Sequence, residues 1–196
     1  MKNLYISHII NALGVIIHSG KYIDNNIDDA KNYMYYSIKF LIKNIIKNKW
    51  NVKLYFELGA GSGTDIIITD NNTLKNFIIF YNRFKLKYKK YLKLCIDTCH
   101  IFAAGYDIRE KKYVKKLLYE IKNDIGIENL GLIHLNDSYY EYNSKKDKHT
   151  NIGNGYIGKD NLLYFIKKFK KYNIPIILET DDDYKKIIPI IYNIIH

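Results

Sequence analysis

Eight side chains able to hold a metal ion stand at telling places in this 196-residue sequence. His18, Glu57, Asp97, His134 and Glu179 each follow directly on a run of apolar residues. Asp97 and His100 form D-x-x-H, so an imidazole follows a carboxylate by about one helical turn. Asp147 and His149 form D-x-H, which in an extended segment sets both side chains on one face. Imidazoles mixed with carboxylates, without thiolate, suit catalytic Zn²⁺ or Mn²⁺ sites that keep a position open for water. Eight donors exceed the needs of one tetrahedral ion, so the set points to a cluster of two or three ions. Such a clamp stabilises both the attacking and the leaving oxygen of an in-line displacement at phosphorus.

The elements that must position these residues follow from apolar bursts alternating with amphipathic stretches. Strands are expected at 15–18, 52–58, 92–97, 130–135 and 174–179. Helices are expected at 28–48, 73–88, 110–124, 159–171 and 183–195, with a short helical turn after Asp97. Strands alternating with helices of this length signal parallel βα units. A single buried histidine is usually a satisfied structural residue, but here all five strand ends carry a potential ligand. Polar residues at strand C-termini face the ligand in a barrel, whereas an open doubly wound sheet lines only one crevice. The expected fold is therefore α/β, a TIM (β/α)8-type barrel truncated to about five βα units. Residues 1–196 are read as one partial-barrel domain, since the length suits one domain.

Composition narrows the function further. Lys and Arg number 31 against 20 Asp and Glu, a formal charge of +11, which favours approach to a polyanion. Nearly all of it is lysine, with Arg83 and Arg109 the only arginines, and Lys, Asn, Ile and Tyr share AT-rich codons, so genome bias alone could produce the excess. At 47% hydrophobic and 26% charged residues, disordered and collagen-like chains are excluded. The apolar run at 187–195 is too short to span a bilayer and is broken by Pro189 and Asn193. Met1 begins no signal-peptide pattern, so the expected location is an intracellular, reducing compartment. Cys95 and Cys99 lack the second pair of a zinc knuckle and read as small buried residues. Residues 59–63, GAGSG, follow a strand as a dinucleotide loop would. No ribose-binding acid stands at the next strand end in the right setting, so a tight loop admitting a substrate backbone is the better reading.

Several segments also carry a family resemblance. LCIDTCHIFAAGYDIR (94–109), IHLNDS (133–138), DKHTNIGNGYIG (147–158) and PIILET (175–180) resemble signature blocks of the endonuclease IV family of apurinic/apyrimidinic endonucleases. VIIHSGKY (15–22) and ELGAGSGT (57–64) match two further blocks more loosely. The resemblance implies zinc-dependent hydrolysis of double-stranded DNA 5′ to an abasic site in base-excision repair, leaving a 3′-hydroxyl and a 5′-deoxyribose phosphate. It implies that Glu57 bridges two ions and that Asp97, His134 and Glu179 complete one of those sites. His100, Asp147 and His149 would hold a third ion and His18 would serve the first. Glu57 and Glu179 are the carboxylates it assigns to the catalytic step.

The resemblance also has gaps. The matching blocks account for the last five of the eight strands of such a barrel. Two histidines of earlier strands and the residues that wedge into the DNA minor groove have no counterpart, and His8 is a poor substitute on a presumed helix. The expectations are an upstream start, a separate N-terminal fragment that completes the barrel, or a remnant. A metal-dependent sugar isomerase or epimerase of the xylose-isomerase-like barrels, and an inactive DNA-binding remnant, are the alternative functions. The aromatic stretches 33–36 and 139–142 read as packing before they read as base-stacking platforms. Lys145, Lys146 and Lys148 could contact phosphate, and Asp107 with Arg109 reads equally as salt bridge or DNA contact.

Overall fold

The computed structural model describes residues 1–23, 26–67, 72–180 and 184–195. Four strands within one residue of the expected bounds, β1 (Gly14–His18), β2 (Lys53–Glu57), β3 (Leu92–Asp97) and β4 (Leu130–His134), lie parallel. Two short pairs follow: β5 (Asp137–Ser138) with β6 (His149–Thr150), antiparallel, and β7 (Ile176–Ile177), parallel to β4. The main sheet runs β1-β2-β3-β4-β7 and does not close, so among the described residues β1 and β7 are its edges.

Side chains alternate between the two faces of a strand, and this alternation sorts the chain into two cores. Leu54, Phe56, Leu94, Ile96 and Ile133 belong to the large core shared with the helices. The intervening residues Tyr55, Cys95 and Leu132 form a separate cluster on the concave face. Two residues further along that face come Glu57, Asp97 and His134. The register carries the same parity through the arc, pairing His18 with Glu57, Glu57 with Cys95, Asp97 with His134 and His134 with Ile177. Every expected strand-end ligand thus emerges on one side of the sheet.

The convex side is covered by α1 (Lys2–Ile9), α2 (Ile27–Lys47), α3 (Lys75–Tyr81), α4 (Leu86–Lys89), α6 (Lys111–Glu120), α7 (Lys159–Phe169) and α8 (Tyr184–Ile195), while α5 (Thr98–Ala103) starts directly at the end of β3. Helix α2 begins where the Asn26 side chain accepts the Asp29 N–H, with Asp28 and Asp29 in a first turn that favours negative charge. It buries Ile38, Ile42 and Ile45, one helical stripe. None of the helices among the described residues is long and apolar enough to cross a membrane.

Two expected elements differ. The helix expected over 73–88 is broken: Lys85 is extended, and Phe84 packs on Tyr35 of α2 with ring centroids 4.8 Å apart. Phe77, Phe80, Tyr81, Phe84 and Tyr88 keep helical spacing across the break, so their pattern could not reveal it. The strand expected over 174–179 shrinks to Ile176–Ile177, because among the described residues β4 is its only partner and Pro175 has no N–H to offer. The edges also leave apolar side chains open to solvent, including Leu13, Ile16 and Ile177.

Inside the arc, glycines make room for one ring. A Cβ on Gly131 would lie 2.5 Å from Tyr55 Cε1 and 2.8 Å from Lys93 Cβ. We therefore expect Gly131→Ala to displace the Tyr55 ring and cost about 1–3 kcal/mol of stability in urea denaturation. An unchanged midpoint would show that the concave layer is loosely packed.

Candidate metal centre

The centre starts from Glu57 at the end of β2. One carboxylate oxygen lies 2.9 Å from His134 Nδ1 and 3.5 Å from His100 Nδ1, and the other lies 3.1 Å from His18 Nε2. Glu57 is 2% exposed, yet its pKa is lowered: burial works against the charge, and His134, His100 and His18 outweigh it. His134 Nδ1 also faces Glu179 at 3.0 Å and Asp97 at 3.8 Å. Donor atoms of Glu57, Asp97, His134 and Glu179 all lie within 4.8 Å of one another.

A second group shares the mouth. Asp97 caps α5, its carboxylate accepting the His100 backbone N–H at 3.0 Å, which orients the His100 ring over the strand ends. His100 Nε2 lies 3.1 Å from Asp147, and His149 Nε2 lies 3.5 Å from both Asp147 and Asp97. His100, Asp147 and His149 form a three-donor group of the same compactness. Burial disfavours the His100 imidazolium, but Asp97, Asp147 and Glu57 prevail and push its pKa up to about 10. An incoming cation must therefore displace that proton. Asp147 is lowered, first by its hydrogen bond with His100.

The residues fit divalent metal. Among the described residues the ion pairs of Glu57, Asp97, Asp147 and Glu179 are made with histidines alone. The Nε2 atom of His134 is buried without a hydrogen-bond partner, and the Nε2 atoms of His100 and His149 face carboxylates alone. Crowded carboxylates and an orphaned imidazole nitrogen are both relieved by a cation that accepts oxygen and nitrogen donors. All eight expected residues meet at this mouth, but not equally. His18 reaches Glu57 from an edge strand, its side chain 69% exposed, and no three-donor group among the described residues includes it. Cys95 and Cys99 come near the donors, but burial raises both thiols, Cys99 to about 12, so neither offers a ready thiolate. His8 lies elsewhere, stacked on Trp50.

Sequence reasoning passed over residues that hold the donors in place. The Asn136 amide donates to Asp97 at 2.6 Å and Glu179 at 3.2 Å, and its oxygen accepts the Glu179 N–H at 2.9 Å. The Thr98 hydroxyl pins Asn136 in turn, donating to its carbonyl at 2.7 Å and accepting its N–H at 2.8 Å. Asp137, fully buried, accepts the N–H groups of Ser138, Gly153, Gly155, Ile157 and Gly158. It thereby folds the glycine-rich segment after His149 against β5. The adjacent N-D in IHLNDS was the available signal, since a polar pair just past a strand end needs partners.

The remaining motifs resolve by geometry. The 59–63 loop leads into no helix among the described residues before Lys75, so it is not a dinucleotide turn. Asp65 closes it by accepting the Ser62 N–H at 2.9 Å. Arg109 donates twice to Asp107, both at 2.8 Å, and lies over the Phe102 ring, so the salt bridge expected of this pair is present. Within 33–36, Tyr35 packs against Phe84, whereas Tyr33 and Tyr36 are exposed.

Comparison with known proteins agrees with this architecture. Residues 4–191 match the family described as xylose isomerase-like TIM barrel. A protein of Acanthamoeba polyphaga mimivirus named as an endonuclease 4 is 34% identical over 188 residues, covering 93% of this chain and 58% of its own length. The crystal structure of an endonuclease IV from Thermus thermophilus superposes with a TM-score of 0.71 at 21% identity, covering 97% of this chain and 64% of that one. A 3-keto-D-glucoside 4-epimerase from E. coli superposes at 0.61 and 14% identity, covering 97% and 66%. At these identities the superpositions speak to the fold. The chain spans well under two thirds of the mimivirus protein's length.

Outer partners of metal ligands commonly carry ten- to hundredfold in affinity. Asn136→Ala should therefore weaken divalent-metal binding by about that factor in calorimetric titration. Wild-type affinity would show that Asp97 and Glu179 hold their positions without it.

Proposed function

This chain belongs to the xylose isomerase-like TIM barrel family, and within that fold we propose that it forms the metal-holding part of an abasic-site endonuclease of base-excision repair. Its reaction would be hydrolysis of the DNA phosphodiester 5′ to an abasic site, leaving a 3′-hydroxyl and a 5′-deoxyribose phosphate. One observation carries the reading: two compact donor groups, Glu57–Asp97–His134–Glu179 and His100–Asp147–His149, meet at one end of one sheet. The name borne by the mimivirus relative supports it.

The donor chemistry suits zinc, with manganese as the alternative. Divalent ions held there would activate the attacking water and offset charge on the leaving oxygen. Glu57 would hold metal through both of its oxygens, one facing His134 and His100 and the other His18. Asn136 steadies Asp97 and Glu179, so the carboxylates need not reorganise as charge moves. Glu57 and Asp97 are buried while Asp147 is half-exposed, which favours a DNA approach on the Asp147 side. Glu57 and Glu179, flanking His134, are the carboxylates we assign to the catalytic step.

A sugar isomerase or epimerase would need the first donor group alone. The convergence of the second group favours phosphoryl chemistry over that alternative.

The test is a nicking assay on a duplex with one abasic analogue, with and without chelator. We expect chelator-sensitive incision 5′ to the lesion, and its loss by more than about a hundredfold in Glu57→Gln, beyond the usual effect of an outer partner. Metal analysis should find two ions retained per chain and the ion of the first site lost readily, because among the described residues His18 and Glu57 alone would serve it. Duplex binding without incision would mark an inactive remnant, and neither binding nor incision would return the reading to sugar chemistry.

A further inference from the structure

Beside the metal centre lies a cleft of about 500 Å³ that the mechanism above does not use. Tyr139, Tyr140 and Tyr156 wall it, with Lys146, Glu141 and Asn154 at its rim. Tyr139 and Tyr156 leave about half of their surfaces open, at 51% and 50%. Two ammonium groups rest on the rings: Lys148 Nζ lies 3.8 Å from the centre of Tyr139, and Lys146 Nζ lies 4.9 Å from that of Tyr140.

The cleft is firmly built. The Tyr139 N–H donates to the Lys148 carbonyl at 3.0 Å, and the Tyr156 N–H donates to the Ser138 carbonyl at 2.9 Å. The Ser138 hydroxyl donates to the Tyr140 carbonyl at 2.7 Å. Ser138 pairs with His149 across β5 and β6, and Lys146 and Lys148 flank Asp147, so the cleft abuts the second donor group through the backbone. Other members of these motifs are already engaged. Tyr142 donates to the Gly105 carbonyl at 3.0 Å and packs on Phe102, while Lys145 donates to the Ala104 carbonyl at 2.5 Å. Tyr142 and Lys145 thus serve the loop, and the outward-facing members are Tyr139, Tyr140, Lys146 and Lys148.

Resting on the reading of the centre as an endonuclease, we propose that this cleft holds the DNA strand next to the cut, with bases on Tyr139 and Tyr156 and phosphates on Lys146 and Lys148. Open aromatic faces take any base by stacking, and lysines beside them track the backbone. The Lys148 ammonium occupies a ring face that a base would take, so it must swing toward the phosphate when a strand enters. The overall charge of +11 draws the same polyanion to this face.

The probe is a fluorescein-labelled duplex with one abasic analogue, its anisotropy titrated in EDTA at several salt concentrations, with the incision assay run in parallel. Tyr139→Ala with Tyr156→Ala should weaken binding roughly ten- to a hundredfold, while the paired Tyr→Phe changes should stay within about twofold, because the rings remain. Lys146→Ala should reduce the slope of log affinity against log salt by about one. Lys146 is exposed, so this arm stands even where the double alanine variant fails to fold. Wild-type affinity in the folded alanine pair, or an unchanged slope in Lys146→Ala, overturns the cleft, and the endonuclease reading survives if incision persists. Cleft-dependent binding with no chelator-sensitive incision overturns the endonuclease reading and leaves the cleft.

Discussion

A carboxylate buried away from water stays ionised only beside positive charge or good hydrogen-bond donors. Glu57 and Asp97 are almost wholly buried, and Glu179 and Asp147 stand close by, all facing imidazoles. Protons can balance this arrangement, as the raised pKa values of His100 and His134 indicate. Protons leave the buried Nε2 atom of His134 without a partner, however. Divalent cations satisfy both halves at once. The strand ends, the cap of α5 and the turn after β4 are arranged to bring that charge together.

The sheet bears the mechanical side of the same constraint. Parallel pairing with a side-chain period of two keeps Tyr55, Cys95 and Leu132 beneath the donors and commits the opposite face to the helices. A slip of one residue would turn Glu57 or His134 into the helix-facing core, where neither could stay charged. The open arc explains the gradient across the centre. Donors on β2, β3 and β4 are buried, whereas His18 on β1 and Glu179 beyond β7 are exposed because no strand lies outside them among the described residues.

Around the centre, loops are shaped by carboxylates and amides as much as by apolar burial. Asp137 gathers five backbone N–H groups, and Asn136 links two donor carboxylates. This polar scaffolding rigidifies the hairpin bearing Asp147 and His149. It leaves tyrosine faces and lysine ammonium groups at its surface. A rigid, positively charged, aromatic rim beside a metal-binding mouth suits a polyanionic strand better than a small neutral sugar.

Much of this was legible in the amino-acid order. The apolar bursts mark all five strands of the sheet, and the polar residue closing each one reaches the same mouth, because burial and alternation constrain strands locally. The eight candidate donors stand out by position and type, and so does the weakness at His18. What stayed hidden depends on contacts between distant segments. The break at Lys85 lies beside the packing of Phe84 on Tyr35 of α2, and the short β7 follows from having a single sheet neighbour among the described residues. The scaffolding roles of Asn136 and Asp137, and the division of lysines into tied and outward-facing, exist only once the loops meet. Periodicity determines which face a residue takes, since it is a property of neighbours along the chain. Tertiary packing decides which polar groups share a partner, since hydrogen bonds reach about 3 Å and sequence separation does not measure that distance.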